Sequence, residues 1–315
     1  MHTMKATIIR NPISGNLQRQ QAFNRAVQVF VQARWQLDVW ETVRKGHARE
    51  LAEKAARTGS ECVIVAGGDG SIGQVVDGLL RSRVPDVQLG VIPMGTGNVF
   101  AREMGLPFPT ATDVDAPARA ARIILANEPV RLDVGQAGEH IFLCWAGVGL
   151  DAAITDEIES QLVFKRRAPV FSYATTTLRY LMAYHPAHMT IQLADGEILE
   201  GDFPLVLASN IRLYARYFQM SPEAKINDGL LDLLIFTDTT KLDILYRLAR
   251  VAISPNDEIP GLIRRQTPEL TITADPPQPY HLDGDPLGQT PLTIRSRARS
   301  LPVRLNRAAI AQALL

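Results

Sequence analysis

The chain has 315 residues, of which 46% are hydrophobic, so it is long and apolar enough for two domains with sizeable cores. Its 33 Lys and Arg residues balance 33 Asp and Glu residues, and this zero net charge gives no reason to expect a nucleic-acid partner. The two cysteines, Cys62 and Cys144, fit neither a zinc site nor a disulfide framework and are expected to be buried thiols.

Strand and helix patterns alternate from the N-terminus to about residue 125. The predicted strands are Ala6–Arg10, Gln36–Glu41, Cys62–Val65 and Leu89–Pro93, and the predicted helices are Gln20–Arg34, His47–Ala56, Gln74–Leu80 and Val99–Met104. This alternation predicts a parallel sheet covered by helices.

After Val130 the pattern changes to short β-rich segments, most of them separated by Gly, Asp or Pro turns. Strands are predicted at Val130–Val134, His140–Trp145, Met189–Leu193, Phe203–Ala208, Leu230–Phe236 and Glu269–Thr273, and helical stretches at Asp151–Thr177 and Lys241–Ile253. We expect an N-terminal α/β domain over residues 1–130, joined by 300–315. Residues 131–299 are expected to form a mainly antiparallel domain, either a sandwich or a partly closed barrel.

Glycine-rich or polar turns follow three of the predicted N-terminal strands, at residues 11–16, 67–71 and 95–98. The carboxyl ends of parallel strands meet at one edge of a sheet, where backbone N–H groups in such turns bind phosphate. Asp69 lies inside the second turn, and a carboxylate beside phosphates acts through a cation such as Mg²⁺. The alternative is an ordinary strand-to-helix turn in which Asp69 caps the helix.

Two acidic turns occur in the C-terminal half. Asp228, in Asn227–Asp232, is compatible with an oxygen-ligated Mg²⁺ site, although the residues alone favour a β-turn. The second turn, His281–Asp285, has the composition of a general base followed by a second carboxylate, or of a hairpin in which His281 packs or hydrogen-bonds.

The ends and apolar runs of the chain bear on its location. Residues Met1–Lys5 lack the apolar run of a signal peptide, and the longest nearly apolar run, Ile141–Leu150, is too short to span a bilayer. We therefore expect a cytoplasmic protein, and any contact that it makes with a membrane is expected to be transient and at the surface.

Motifs along nearly the whole chain resemble the diacylglycerol kinase catalytic-domain superfamily, in its bacterial soluble lipid kinase branch, which is related to sphingosine kinases. The matching segments are Asn11–Gly15, Thr42 with Gly46–Ala48, Gly67–Ser71, Pro93–Asn98, Ala146–Ala152, Ser209–Asn210, Ser221–Ala224, Asp228–Gly229 and Asp283–Asp285.

The resemblance implies an α/β nucleotide-binding domain, a β-sandwich domain and a cleft between them that holds the site. It implies Mg²⁺-dependent transfer of phosphate from ATP to a lipid hydroxyl at a membrane surface, with diacylglycerol as the default acceptor. The residues implied to contact ATP are Asn11, Ser14, Thr42, Gly67, Gly68, Asp69, Gly70, Ser71, Thr96 and Asn98.

The resemblance also assigns a structural cation and the catalytic carboxylates. The cation maps to Asp228 with the backbones of Lys225 and Leu230. The catalytic base maps to Asp283 or Asp285, whose roles the resemblance does not separate, together with Asp69. The sequence does not decide whether the protein forms a homodimer.

Three departures from the family pattern affect the expected activity. Asp285 replaces a glutamate, Val99 replaces an acidic residue, and Ile211–Tyr217 replaces a glycine-rich stretch. These departures favour one alternative to an active lipid kinase, a catalytically weak nucleotide- or lipid-binding regulator. A second alternative is an NAD kinase-like small-molecule kinase, because NAD kinases share the Gly67–Gly70 turn.

Overall fold

The computed structural model describes residues 3–12, 17–110, 112–155, 186–214, 218–237, 240–308 and 310–311. The chain forms two compact units. The first unit comprises Met1–Val134, Ile226–Asp228 and Ala298–Leu315, and the second comprises Gly135–Lys225 and Gly229–Arg297.

The secondary structure elements have the following bounds. The helices are α1 (Leu17–Gln32), α2 (His47–Arg57), α3 (Asp69–Ser82), α4 (Val99–Glu103), α5 (Ala116–Ala126) and α6 (Lys241–Ile253). The strands are β1 (Lys5–Arg10), β2 (Gln36–Glu41), β3 (Cys62–Gly67), β4 (Gln88–Pro93), β5 (Pro129–Ala137), β6 (His140–Phe142), β7 (Trp145–Gly149), β8 (Ala187–Leu193), β9 (Ile198–Phe203), β10 (Leu205–Ser209), β11 (Leu213–Tyr214), β12 (Phe218–Gln219), β13 (Leu231–Phe236), β14 (Leu262–Thr267), β15 (Glu269–Asp275), β16 (Pro279–Leu282), β17 (Asp285–Gln289) and β18 (Leu292–Arg304).

The first unit is built on a parallel sheet with the strand order β2-β1-β3-β4, which the second half of β18 extends beside β4. The six residues of β3 are all buried, as expected for a strand covered on both faces. One face packs against α1 and α5 through Phe23, Phe30 and Ile124, while α2 and α3 lie against β3. The predicted parallel α/β fold is therefore confirmed.

Arg304 fixes the C-terminal strand within the first unit. Its guanidinium donates to the carbonyl oxygens of Ile124 and Asn127, at 2.9 and 3.0 Å, and lies over the Trp35 ring. A buried cation with several acceptors and an aromatic face is well compensated for the loss of water.

The second unit is a sandwich of two antiparallel sheets. One sheet has the order β14-β13-β10-β7-β16-β17, and the other runs from the first half of β18 through β15 and β8 to β9. Inward-facing side chains of both sheets, including Val148, Ile191, Leu233 and Ile272, form its core. The expectation of a β-rich C-terminal domain is confirmed, and of the two expected architectures the structure shows the sandwich.

The prediction of one strand over His140–Trp145 is wrong, because residues 143 and 144 leave the ladder and separate β6 from β7. Their amides are hydrogen-bonded elsewhere, as described below. Of the helix predicted over Asp151–Thr177, residues 151–155 are helical, and 156–177 lie outside the described residues.

No helix in the described part of the chain combines the length and the apolar character needed to cross a membrane.

Candidate functional site

The parallel sheet of the first unit ends in register at one edge. Arg10, the last residue of β1, stands opposite Glu41 on β2 and Ala66 on β3, and Gly67 of β3 stands opposite Pro93 on β4. The turns that follow these four strands therefore all leave from the same edge, where ligands of parallel α/β sheets bind.

Asn11 and Thr42 continue the hydrogen-bond ladder just beyond the strands. The Thr42 amide donates to the Arg10 carbonyl at 2.8 Å, and the Asn11 amide donates to the Ala66 carbonyl at 3.2 Å. Both predicted ATP contacts are thus brought together at the sheet edge. Ser14 lies outside the described residues.

The glycine turn between β3 and α3 presents the start of a helix at this edge. Gly68 is the N-cap residue and Asp69 is the first residue of α3. The side chain of Ser71 lies over Gly67, where an added Cβ would stand 2.7 Å from the Ser71 Cβ, so the sequence needs glycine there. Gly70 is exposed, and no atom lies within 4 Å of the position its Cβ would take.

Asp69 joins the two glycine turns of the first unit. Its Oδ1 accepts a hydrogen bond from the Phe100 amide in the first turn of α4, at 3.1 Å. Its Oδ2 lies beside Gly97, at 2.9 Å from the position that a Cβ on Gly97 would take. Asp69 therefore has a structural hydrogen bond as well as a carboxylate oxygen at the glycine-rich edge.

The two turns touch backbone to backbone at Gly68 and Gly95. A Cβ on Gly95 would lie 2.5 Å from the Gly68 Cα. Asn98 itself has a left-handed backbone conformation, with φ of 52°. Its side-chain oxygen accepts from the Gly95 amide at 3.0 Å, and its side-chain nitrogen donates to the Gly95 carbonyl at 2.8 Å. Asn98 thus shapes the turn, whereas Thr96 is exposed at its tip.

Asp283 anchors the acidic turn of the second unit. Its Oδ2 accepts from the Leu143 amide at 2.7 Å, and its Oδ1 accepts from the amides of Cys144 and Trp145 at 2.8 and 3.0 Å. Asp283 and Gly284 both have positive φ, 50° and 91°, as a tight hairpin turn requires. Three amide donors hold this carboxylate firmly against the start of β7.

His281 lies beside the same turn and is buried. Its Nε2 is 2.6 Å from Asp151 Oδ2, and its Nδ1 accepts from the Gly284 amide at 3.2 Å. Burial raises the pKa of Asp151, but His281 and the Tyr214 hydroxyl, which donates to Asp151, outweigh it and hold the pKa below its ordinary value. Asp151 is therefore an ionised acceptor at neutral pH.

The remaining predicted residues are more dispersed. Asp285 begins β17 and is half-buried. Asp228 belongs to the first unit, and Lys225 and Leu230 belong to the second. Among the described residues, no group of three or more His, Cys, Asp or Glu side chains is placed to hold a metal ion.

Asp151 and Tyr214 were not among the predicted site residues. Asp151 stands in one of the segments that resemble the family, and Tyr214 stands in the stretch that departs from it. Local sequence carried no sign that the two side chains meet, because 63 residues separate them.

Comparison with known proteins gives a consistent result for both halves of the chain. Residues 5–137 match the family described as diacylglycerol kinase catalytic domain. Residues 145–306 match the family described as YegS C-terminal NAD kinase beta sandwich-like domain.

Similar proteins cover most of the chain. "Diacylglycerol kinase" of Bacillus subtilis (strain 168) is 29% identical, over 91% of this chain and 91% of the relative. "Probable lipid kinase YegS-like" of Chromohalobacter salexigens is 31% identical, over 79% and 78%. The solved structure of "a putative diacylglycerol kinase" from Bacillus anthracis str. Sterne has a TM-score of 0.79 at 22% identity, covers 98% of this chain and 99% of its own, and has the same fold.

The chain therefore belongs to the diacylglycerol kinase catalytic-domain superfamily, in the branch of bacterial diacylglycerol and YegS-like lipid kinases, a family of phosphotransferases with an alcohol group as acceptor.

Proposed function

We propose that this protein transfers the γ-phosphate of ATP to the hydroxyl group of a lipid, with diacylglycerol as the default acceptor and phosphatidic acid as the product. The observation that carries the proposal is the common edge of the parallel sheet, where Asn11, Thr42 and the turns at 67–71 and 94–98 leave four strands in register. Backbone amides at such an edge suit phosphate oxygens.

In the proposed reaction, the acceptor oxygen forms a bond to the γ-phosphorus while the bond from phosphorus to the β–γ bridging oxygen breaks, and ADP leaves. The proton of the hydroxyl passes to a carboxylate of the Asp283–Asp285 turn. Mg²⁺ bound with ATP would neutralise charge on the β- and γ-phosphates. Asp69, whose carboxylate oxygens are donors of the kind that Mg²⁺ prefers, is the residue we propose to face it. A structural cation at Asp228 stays a prediction.

The test is transfer of labelled γ-phosphate from ATP into a total lipid extract in detergent micelles, with NAD in buffer as a parallel acceptor. The matched variants are Asp69→Asn, which keeps an oxygen to accept from Phe100 N–H but removes the charge, and Asp38→Asn, an exposed carboxylate of the same unit. We expect a labelled lipid with wild type and Asp38→Asn, and at least about a hundredfold less with Asp69→Asn.

Other outcomes would support the alternatives. Label in NAD instead of lipid would support a small-molecule kinase. ATP binding without any labelled acceptor would support a regulator, and Val99, a buried residue at the start of α4, would be the first position to change to an acidic residue.

A lipid acceptor requires contact with a bilayer, and helix α6 has a face that suits one. Leu242 and Ile253 are 79% and 80% exposed, and Leu245 and Tyr246 lie on the same side of the helix, opposite buried Ile244 and Val251. We call these four exposed residues the α6 stripe.

A phospholipid surface fits the α6 stripe better than a protein partner. Four side chains fall far short of the roughly 20 residues that each side of a stable protein interface contributes. An amphipathic helix of this kind lies in the interfacial plane of a bilayer.

Co-sedimentation with phosphatidylcholine vesicles, with and without phosphatidylglycerol, tests this contact. Leu242→Ser with Ile253→Ser is expected to reduce the bound fraction at least about threefold, because two exposed apolar side chains are lost from the contact. The control is Ile198→Ser, which changes an exposed apolar residue on β9 of the same unit. Equal binding by the control and the double variant would contradict the contact, as would a concentration-dependent dimer that the double variant abolishes.

A further inference from the structure

His281 is a buried titratable residue with a defined partner on each ring nitrogen. Its side chain is 1% exposed. The Gly284 amide donates to Nδ1, so Nδ1 carries no proton and Nε2 carries one. Nε2–H therefore donates to Asp151, so each ring nitrogen has its own hydrogen-bond partner.

Asp151 in turn is fixed from its other side. Its second carboxylate oxygen accepts from the Tyr214 hydroxyl, and the Tyr214 ring packs against Trp145 with ring centroids 5.0 Å apart. Each of the three side chains in this network therefore has a hydrogen-bonding neighbour that orients it.

Strand β7 leaves room for the pair at Gly147, which stands opposite His281 in the ladder. A Cβ on Gly147 would lie 2.4 Å from both Asp151 Oδ2 and His281 Nε2. Any side chain at this position would displace the hydrogen bond, so the glycine is a requirement of the pair.

The ladder between β16 and β17 shifts register between Tyr280 and His281. Such a bulge redirects the following side chain, and here it accompanies the turn that carries Asp283 and Asp285. Several hydrogen bonds therefore attach the turn to the sandwich: the Asp283 carboxylate accepts from the amides of residues 143–145, the Asp283 amide donates to the Trp145 carbonyl at 2.9 Å, and the Gly284 amide donates to His281.

We infer that His281, oriented by Asp151, is a positioning residue that holds the Gly284 amide and so fixes the Asp283–Asp285 turn for phosphoryl transfer. The inference rests on the proposed function, because it assigns the turn to that reaction. His281 itself does not touch the reacting atoms. It acts through the backbone of the turn, and a misplacement of about 1 Å there lowers the rate up to about a hundredfold.

Two substitutions separate the two hydrogen bonds of His281. His281→Asn places an amide oxygen near the position of Nδ1, so it keeps the bond to Gly284 and loses the bond to Asp151. His281→Gln places an amide nitrogen near the position of Nε2, so it keeps the bond to Asp151 and loses the bond to Gly284. The matched control is His188→Asn, because His188 and Asp202 form a second His–Asp pair in the same unit, one that is exposed.

The first measurement is steady-state kinetics at equal folded fraction. We expect kcat of His281→Asn within about threefold of wild type and kcat of His281→Gln at least about tenfold lower, with KM for ATP unchanged in both. A role in packing alone would lower the stability of both variants without separating their kcat values. Equal kcat in the two variants would overturn the inference.

The second measurement is hydrogen exchange of the Gly284 amide by NMR, which does not depend on any activity. We expect exchange at least about tenfold faster in His281→Gln than in wild type, His281→Asn or His188→Asn. If wild type phosphorylates no lipid, the proposed function fails on that result, while unchanged Gly284 exchange in His281→Gln separately overturns the positioning role.

Discussion

The contact between the two glycine turns of the first unit predicts that one added methyl group lowers both the free energy of unfolding and the affinity for nucleotide. In Gly95→Ala the new Cβ would stand 2.5 Å from the Gly68 Cα and 2.9 Å from Asn98 Oδ1. The Gly68 neighbour is backbone and cannot turn aside, so the turns must separate by about 0.9 Å to reach ordinary contact at 3.4 Å. Overpacking of this kind lowers the free energy of unfolding by about 1–3 kcal/mol.

Gly73→Ala is the matched control. Gly73 lies inside α3, within the same unit, and no atom lies within 4 Å of the position its Cβ would take. Replacing a helical glycine by alanine raises the free energy of unfolding by roughly 0.5–1 kcal/mol. The two variants, which add the same atoms, should therefore differ by roughly 1.5–4 kcal/mol in urea unfolding.

The same displacement should weaken nucleotide binding. If these turns bind the phosphates of ATP as proposed, their separation would remove a hydrogen bond from a backbone amide to a phosphate, worth about 1.5–3 kcal/mol. Calorimetry with a non-hydrolysable ATP analogue should show a Kd at least about tenfold higher for Gly95→Ala and unchanged for Gly73→Ala. Identical unfolding and identical Kd in the two variants would refute the assignment of these turns to ATP.

Three further predictions concern hydrogen-bonded or buried polar groups. Asp283→Asn places an NH₂ group against one of three amide donors, so urea unfolding should show a loss of about 1–3 kcal/mol, while Asp38→Asn, at an exposed position, should lose less; equal losses would contradict the anchoring role. Because the pKa of Asp151 is lowered below 3.8 in the fold, its contribution to stability is present above that pH and lost as pH falls further, so Asp151→Asn should flatten the acid limb of a urea-midpoint profile. An unchanged limb would show that the pair does not form. Burial raises the pKa of Cys62 to about 12, so iodoacetamide at about pH 8 should label this thiol in urea and leave it unlabelled in the native protein, a pattern that mass spectrometry can check.

The first unit could be predicted largely from sequence because its signals are local. A fully buried strand such as β3 is a continuous apolar run, and a glycine turn marks where it ends. The bounds predicted for Gln36–Glu41 agree with those of β2, and the bounds predicted for Lys241–Ile253 agree with those of α6. The polar loop from Thr42 to Gly46 marks the end of β2, and the Thr240 cap marks the start of α6.

The second unit was harder to predict because its strand ends depend on distant residues. Nothing in His140–Trp145 itself indicates a break, yet the amides of Leu143 and Cys144 bond to a carboxylate about 140 residues away. Strand β16 was likewise not predicted, because Pro279–Leu282 is short and begins with proline.

The candidate site shows the same difference between local motifs, which could be predicted, and tertiary contacts, which could not. The glycine turns are motifs whose residues are neighbours in sequence, so the positions at the sheet edge could be listed before the fold was known. The network of Asp151, Tyr214 and His281 joins three segments far apart in the chain, so no local pattern in the sequence predicted it. A motif thus identifies the residues that chemistry needs, while the residues that hold the motif in place emerge only from tertiary contacts.

The Asp283–Asp285 turn shows this dependence on tertiary contacts, because several hydrogen bonds from the sandwich hold it. A two-residue left-handed turn with a glycine is by itself free to move, and phosphoryl transfer depends almost entirely on positioning and electrostatics. The carboxylate of Asp283 fixes the start of the turn, and His281 fixes its middle through the Gly284 amide. Asp285 follows directly as the first residue of β17, so the same hydrogen bonds also fix the position of its backbone. Its side chain is one methylene shorter than the glutamate of the family pattern, so its reach in the proposed reaction depends on that backbone position.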